Sequence, residues 1–458
     1  MGKDRQGMFY RTFRAYELYL HNCFYYKKIH CAGKQNIPPD GTPVLFVSNH
    51  QNCLCDPLAV VFTVRDRKTN FFVRADIFSI HPWITRIFGA LAMSPAFRLD
   101  FDGKEALWKN RDMFKVIEAK LLEGESVLMY PEGRHQNKHW LGDFSLGYTK
   151  LAFETAELGC FQKDIWIVPC CNHYSSYKDI QQEVIMKFGK PISLMPYYDL
   201  YREKPRTAQR QLNDAVRTQV CDMMLCISDL KNYKAIDFLR NTFGYKFATM
   251  NGYEHDYLPE KLQSDKLFVN ILQEMKLLEE NQQDAEKAET ISIQEIYDDA
   301  FKVATDLKKL KIRDEQFDKS PGWTTIILSL LALVGLLPLW VFTLWPNIFI
   351  YKMVDWAMRR IKDKMFHNSF LVGISSLVMM PLLYTLTFAL TWIFINLWIA
   401  IIYSIALPWL GLFAWYYWRF AVKTLQDIRF RRVTKTGSGS KLRELRNNLH
   451  ERLNKIVK

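Results

Sequence analysis

The sequence predicts an α/β domain with a mostly parallel or mixed central sheet flanked by helices, then an α-helical accessory region and an α-helical membrane region. Three observations support this fold class. From Val44 to about Ile227, short apolar runs alternate with amphipathic stretches, as in βαβ units. Asn232 to Lys319 has helical spacing and dense charge, and the apolar residues are then concentrated after Pro321.

These shifts in composition divide the chain into five segments. We expect an N-terminal interfacial amphipathic helix in residues 1–42 and the α/β domain in residues 43–230. A charged helical accessory region (231–320), a membrane region of two or three hydrophobic blocks (321–422) and a basic amphipathic tail (423–458) follow.

The charge and the aromatic content indicate the partners. The chain has 458 residues, a formal net charge of +13, and 31 Phe, 22 Tyr and 13 Trp. A basic protein suits nucleic acid or an anionic membrane, and the aromatic content favours the membrane interface. We therefore expect anionic membrane lipids and no nucleic acid. The aromatic and basic stretch Met8 to Tyr26 suits a helix in that interface, although a helix that covers the sheet fits the same pattern.

The α/β domain is expected to contain five strands with polar residues at several of their ends. The candidate strands are Val44–Val47, Asn70–Val73, Ser126–Tyr130, Ile165–Val168 and Val184–Phe188. In open α/β sheets, ligands bind beyond the carboxyl ends of the strands, so these polar residues are expected to share one crevice.

The first strand ends in a candidate base and its partner. His50 follows the strand, and Asp56 lies six residues further on. An aspartate that accepts a hydrogen bond from one ring nitrogen leaves the other free to take a proton from a hydroxyl. A purely structural His–Asp pair fits the same residues. Cys53-x-Cys55 and Cys170-Cys171-x-His173 lack the two spaced ligand pairs of a zinc site, so we expect packing roles for them.

Four stretches of this domain resemble, in their order and separation, the motifs of the glycerophospholipid acyltransferases. They are Asn49-His50 with Asp56, Phe97-Arg98, Tyr130-Pro131-Glu132-Gly133-Arg134 and Val168-Pro169. Members of this family move a fatty acyl group from a thioester to glycerol-3-phosphate or a lysophospholipid. Five residues separate His50 from Asp56 where most members have four, which resembles a branch of glycerol-3-phosphate acyltransferases found in fungi and some bacteria.

The resemblance implies an O-acyltransferase of phospholipid biosynthesis and a role for each matching residue. His50 and Asp56 would be the catalytic pair, with His50 deprotonating the acceptor hydroxyl and Asp56 holding the imidazole. The implied substrate-binding residues are Arg98, Glu132, Gly133 and Arg134. The usual Thr after Glu-Gly is absent, and Arg134 stands in its place. The donor would be acyl-CoA or acyl-ACP, the acceptor a glycerol phosphate, and the activated thioester requires no metal or other cofactor.

Other functions fit the same motifs. The acceptor could be another lysophospholipid or an amino-lipid hydroxyl. A membrane-anchored scaffold with a degenerate acyltransferase fold is the alternative outside enzymology, and the intact His50, Asp56, Arg98 and Glu132 argue against it. Acyl donors are cytosolic, so we expect an integral membrane protein with its catalytic domain on the cytoplasmic face, in a bacterial inner membrane or the endoplasmic reticulum.

The membrane region contains two long uncharged runs, Pro321 to Ile350 and Phe370 to Trp418. Gly335 and Pro338 interrupt the first, so we expect a re-entrant hairpin there and a helical pair in the second. This arrangement keeps the basic stretches that follow both runs on the enzyme's side. A linker, Thr436 to Ser440, then leads to a tail helix whose apolar face suits either the membrane surface or the accessory region.

Overall fold

The computed structural model describes residues 7–78, 82–97, 103–177, 179–281, 292–360, 371–373 and 375–457. The chain divides into two units. The first comprises Met1–Leu225 with Ala357–Ser376, and the second comprises Cys226–Trp356 with Leu377–Lys458.

The first unit is built on one mixed sheet. Its strands are β1 (Tyr26–Ala32), β2 (Val44–Ser48), β3 (Thr69–Arg74), β4 (Met93–Ala96), β5 (Ser126–Met129), β6 (Trp166–Tyr174), β7 (Gln182–Phe188) and β8 (Ile192–Ser193). Their order is β1-β7-β6-β2-β5-β3-β4, and β8 pairs with β6. Strands β2 to β6 run parallel to one another, whereas β7 and β8 are antiparallel to β6. The predicted fold class, with a mixed sheet, is therefore confirmed.

Strand β2 lies at the centre of the sheet because the side chains of Val44 to Val47 are apolar on both faces. All five of its residues are buried, as expected for a strand covered on both sides. Its Phe46 pairs with Leu128 of β5 on one side and with Val168 of β6 on the other. The three strands are parallel, so their carboxyl ends lie at one edge of the sheet.

Helices cover this sheet. They are α1 (Met8–Leu20), α2 (Cys55–Thr63), α3 (Ala75–Phe78), α4 (Pro82–Ala90), α5 (Glu105–Leu122), α6 (Gly147–Leu158), α7 (Tyr198–Glu203) and α8 (Pro205–Met223). Eight of the nine residues of α2 are buried, which makes it a core helix.

The structure contains three strands that the sequence did not predict, and one longer strand. The N-terminal helix ends at Leu20, and after a π-helical turn the chain enters β1, which pairs with β7 at the edge of the sheet. Strand β6 continues through Pro169 to Tyr174, although we expected it to end at Val168. Pro169 is tolerated because it lies between the residues that pair with β8 and those that pair with β7, where no N–H is needed for either ladder.

The second unit is helical. Its helices are α9 (Tyr233–Thr242), α10 (Gly244–Met250), α11 (Leu258–Asn281), α12 (Ile293–Leu310), α13 (Trp323–Leu344), α14 (Asn347–Arg360, which continues into the first unit), α15 (Met380–Phe394), α16 (Leu397–Val433) and α17 (Gly437–Ile456).

The tail helix α17 packs on the accessory region. It buries Leu442, Leu449 and Leu453 and contacts α12. The expected linker at Thr436–Ser440 is wrong, because Thr436 caps the helix by accepting a hydrogen bond from Gly439 N–H, and the glycines form its first turn. Of the two arrangements that the sequence allowed for the tail, the structure shows the pairing with the accessory region.

The first apolar block is one continuous helix. Helix α13 runs through both Gly335 and Pro338, so the hairpin expected to break at these residues is wrong. Apolar helices tolerate an internal proline, which removes only one backbone donor. The chain turns instead at Trp345-Pro346, before α14. The second block forms a pair as predicted, with α15 and α16 joined at Ile395-Asn396 and in contact.

Helices α13 and α16 are long and apolar enough to cross a membrane. They pack against each other through side chains that bond to the opposite backbone. Tyr417 OH donates to Leu333 O at 2.8 Å, and Trp340 Nε1–H donates to Ala414 O at 3.1 Å.

Candidate active site

His50 and Asp56 meet beyond the carboxyl end of β2. His50 Nδ1 lies 2.7 Å from Asp56 Oδ2. Asp56 stands in the first turn of α2, so the loop after β2 folds back to bring the two residues together. The Asp56 side chain is fully buried, whereas that of His50 is 18% exposed. The imidazole is therefore partly exposed, while the carboxylate that it contacts is buried.

The Asp56 carboxylate has four hydrogen-bond partners. Besides His50 Nδ1–H, the backbone N–H groups of Gln51 and Asn52 donate to Oδ2, each at 2.8 Å. Tyr174 OH donates to Oδ1 at 2.7 Å. In a neutral imidazole whose Nδ1–H donates to Asp56, the lone pair lies on Nε2. Within the described part of the chain, no group hydrogen-bonds to that nitrogen.

The Glu132 carboxylate is held by the protein itself. Its Oε1 accepts the His50 backbone N–H at 2.7 Å, and its Oε2 accepts the Gly142 N–H at 2.9 Å and Gln136 Nε2 at 3.4 Å. Burial raises the pKa of Glu132, and the donors from His50 and Gly142 counteract that rise. Glu132 thus fastens the loop after β5 to the residue that carries the imidazole.

Tyr130 forms one wall of the site. Its ring stacks on that of His50, with centroids 4.2 Å apart. Its hydroxyl is buried without a hydrogen-bond partner among the described residues. Burial raises the pKa of Tyr130 well above its usual range, so the hydroxyl stays protonated. The His135 ring contacts the same imidazole edge-on, with centroids 5.5 Å apart. These aromatic neighbours restrict how the imidazole can tilt.

Of the three other predicted site residues, the structure describes two. Gly133 has φ +65°, a left-handed conformation that favours glycine, while a Cβ there would meet no atom within 4 Å. Its N–H donates to Tyr130 O at 3.1 Å, so it is not available to an oxyanion. Arg134 follows on the same loop with an exposed side chain. Arg98 lies outside the described residues.

Sequence reasoning missed the residues that join β2 to β6. Asn49 Nδ2 donates to Asn172 O at 3.0 Å, and Asn172 N–H donates to Asn49 Oδ1 at 2.8 Å. This reciprocal pair locks the end of β2 beside β6 and so fixes where the chain enters the His50 loop. The signal was Asn49 directly before His50, but its partner is 123 residues away and follows only from the sheet register.

Among the described residues, no group of three or more histidine, cysteine, aspartate or glutamate side chains is placed to hold a metal ion. The site offers a partly exposed imidazole backed by a buried carboxylate. Such a pair can take a proton from a hydroxyl and return it to a leaving group.

These features define the class of the domain. The family model described as Acyltransferase matches residues 28–173, which include His50, Asp56 and Glu132. Residues 28–173 therefore form an acyltransferase domain, as the sequence motifs predicted.

Among solved structures, the chain is similar to the crystal structure of the 1-acyl-sn-glycerophosphate (LPA) acyltransferase, PlsC, from Thermotoga maritima. The sequence identity is 16%, the match covers 46% of this chain and 77% of that chain, and the TM-score is 0.31. No curated protein matches the chain.

Proposed function

We propose that this protein is a membrane-bound O-acyltransferase that moves a fatty acyl group from acyl-CoA or acyl-ACP to the hydroxyl of glycerol-3-phosphate or 1-acylglycerol-3-phosphate. The observation that carries the proposal is the His50–Asp56 contact of 2.7 Å within an acyltransferase domain. A hydroxyl acceptor needs a base because an alcohol is a poor nucleophile at neutral pH, and His50 Nε2 would be that base.

In this mechanism, His50 Nε2 takes the proton of the acceptor hydroxyl as the oxygen attacks the thioester carbonyl. The tetrahedral intermediate then expels the thiolate, which takes the proton from the imidazolium. A positioned base of this kind typically contributes about 10² to 10⁴ in rate. Asp56 stabilises the transient imidazolium and keeps the ring in the productive tautomer.

The acceptor phosphate requires cationic partners. We assign it to Arg98 and to the exposed Arg134, because a guanidinium binds phosphate through two parallel hydrogen bonds. Glu132 and Gly133 shape the acceptor site through the backbone. Glu132 bonds the His50 N–H, and Gly133 supplies the left-handed turn that precedes Arg134.

We further propose that the protein is integral to the membrane, with the catalytic domain on the cytoplasmic face. The two long apolar helices support this proposal. Their large side chains are mostly exposed, as with Leu331 at 63% and Val334 at 70%. A lipid acceptor would reach the site from that membrane, and α1, which exposes Phe9 and Tyr19, suits anionic lipids at the interface.

The test is acyl transfer by the purified full chain. Labelled acyl-CoA and acyl-ACP are offered with glycerol-3-phosphate, 1-acylglycerol-3-phosphate, other lysophospholipids and amino-lipids. We expect product with a glycerol-phosphate acceptor, and a loss of about 10² or more in kcat for His50→Ala, which should still fold and unfold cooperatively.

His255→Ala is the matched control, because His255 also lies beside an aspartate, Asp256, but belongs to the second unit. Full activity of His50→Ala would contradict the mechanism. Product only with an amino-lipid or another lysophospholipid would replace the acceptor, and no product with any acceptor would favour a scaffold.

A further inference from the structure

Tyr174 is the one side chain besides His50 that bonds the Asp56 carboxylate in the described part of the site. Its hydroxyl lies 2.7 Å from Oδ1, the oxygen that the loop after β2 does not reach. The other three donors all bond Oδ2. Oδ1 is fully buried with the rest of the Asp56 side chain, so without Tyr174 it would lose its donor.

Tyr174 itself is fixed in place. It is the last residue of β6, where it pairs with Val184 of β7, and it is 2% exposed. The rings of Tyr26 and Tyr177 pack against it, each with its centroid 5.9 Å away. Burial also raises the pKa of Tyr174 well above its usual range, so its hydroxyl remains a donor at any pH of interest.

We infer that Tyr174 is a positioning residue of the acyl-transfer reaction, which acts on His50 only through Asp56. This inference rests on the proposed function, and Tyr174 lies one residue beyond the segment that matches the family model. A buried carboxylate left without one of its donors bears the desolvation cost of that oxygen. The Tyr174 hydroxyl both fixes the carboxylate plane and spreads its negative charge away from the imidazole.

Removing the hydroxyl should therefore alter the base as well as the stability. In Tyr174→Phe more negative charge remains on Oδ2, which stabilises the protonated imidazole. The acidic limb of the pH profile of kcat/KM should then move to higher pH, by about half a unit or more. At neutral pH we expect kcat to fall about tenfold with little change in either KM, because Tyr174 is buried and acts through Asp56.

Tyr198→Phe is the matched control. Tyr198 is also buried in the first unit and donates one hydrogen bond, to Lys163 O at 2.8 Å, away from Asp56. Its variant should lower the melting temperature without moving the pH profile. An unmoved acidic limb in Tyr174→Phe, or an equal shift in both variants, would overturn the inference.

A second measurement needs no activity and separates this inference from the proposed function. Melting temperatures of the wild type, Asp56→Asn, Tyr174→Phe and the double variant form a cycle. If Tyr174 serves the carboxylate, its substitution costs much less stability once Asp56 has become Asn. Additive losses would overturn the role of Tyr174 even in an active enzyme. Non-additive losses in a protein without acyltransferase activity would instead support the contact between Tyr174 and Asp56 and reject the proposed function.

Discussion

At the scale of single residues, the site depends on side chains that hold backbone rather than substrate. Glu132 joins the His50 N–H to the Gly142 N–H, so any change that displaces its carboxylate also displaces the base. The motif predicted Glu132 as a substrate-binding residue, and its role stays a prediction. Its hydrogen bond to the His50 N–H is one way in which it would act without touching a substrate.

Gly142→Ala tests that connection. An added Cβ would lie 2.9 Å from Glu132 Oε2, closer than such contacts allow, so the carboxylate must move. Overpacking of this kind typically costs about 1–3 kcal/mol. We expect kcat to fall about tenfold, measured with saturating donor and acceptor. Gly147→Ala is the control, since a Cβ there meets nothing within 4 Å. Wild-type kcat in Gly142→Ala would show that the Glu132 contact is dispensable.

Arg98→Lys tests the assignment of the acceptor phosphate. Lysine keeps the charge but loses the planar fork, so the KM for the acceptor should rise, about tenfold, more than the KM for the donor. Steady-state kinetics with each substrate varied in turn measure both constants. A rise confined to the donor would move Arg98 to the thioester side of the site.

Sequence motifs predicted His50, Asp56 and Glu132 because each lies within a short stretch with a recognisable spacing. They could not predict Tyr174 or Asn172, because both reach the site through the pairing of β6 with its neighbours. A contact between strands that are far apart in the sequence leaves no local pattern, and it becomes visible only when the register of the sheet is known.

At the scale of elements, edge strands and helix ends were the features that the sequence concealed. Strand β1 follows α1 through a π-helical turn without the Pro or Gly signal that normally ends a helix. Strand β4 contains Pro95, which argues against a central strand but is compatible with an edge. The central strand β2 was predicted within one residue because an apolar run buried on both faces is unambiguous.

Helix α1 carries a carboxyl group that should make its packing depend on pH. Glu17 is 5% exposed, and burial raises its pKa from 4.5 to about 7. The folded helix therefore keeps the proton that the unfolded segment releases above pH 4.5. The contribution of this proton to the free energy of unfolding is therefore largest below pH 4.5. It falls as the pH rises to about 7, and above that pH no further stability is lost through Glu17. The whole change amounts to about 3 kcal/mol at most.

Glu17→Gln should abolish this dependence, because glutamine resembles the protonated acid. Hydrogen exchange of residues 8–20 is compared between variant and wild type at pH 5 and pH 8. We expect the wild type to exchange faster than the variant at pH 8 and similarly at pH 5. Burial lowers the pKa of the neighbouring His21 to about 4. His21 is present in both the variant and the wild type, so its titration cancels when the two are compared. Glu203→Gln, at the exposed end of α7, is the control. An equal ratio of wild-type to Glu17→Gln exchange rates at pH 5 and pH 8 would refute the prediction.

At the scale of the molecule, the second unit indicates how its apolar block meets a membrane. Arg446 of α17 bonds both Asp314 and Asp318, which lie between α12 and α13, at 2.7 and 2.6 Å. Arg313 Nη2 and Asp427 Oδ1 are 3.1 Å apart. The residues that precede α13 are thus in direct contact with those that follow the apolar part of α16. If α13 and α16 cross a membrane, as proposed above, a chain tied in this way enters and leaves it on one side.

We therefore predict an even number of crossings between Lys319 and Lys435. Ser320→Cys and Ser438→Cys, in a cysteine-free variant, are labelled with a membrane-impermeant thiol reagent from each side in turn. Both positions are exposed and flank the apolar block. We expect labelling from the same side. Labelling from opposite sides would mean an odd number of crossings, and the contacts of Arg446 would then have to break in the membrane.

The order of the strands also governs how the sheet forms during synthesis. Strand β2 emerges early, yet its two neighbours are β5 and β6, so VLFVS remains unpaired until Ser126–Met129 has left the ribosome. Pairings between distant segments form slowly and leave apolar strands open to chaperones or to aggregation. Strand β1 must wait longer still, for β7, so the first strand to be made is among the last to join. Strands β2, β5 and β6, whose carboxyl ends form the edge that bears His50 and Asp56, are all made before β7, the strand that β1 requires.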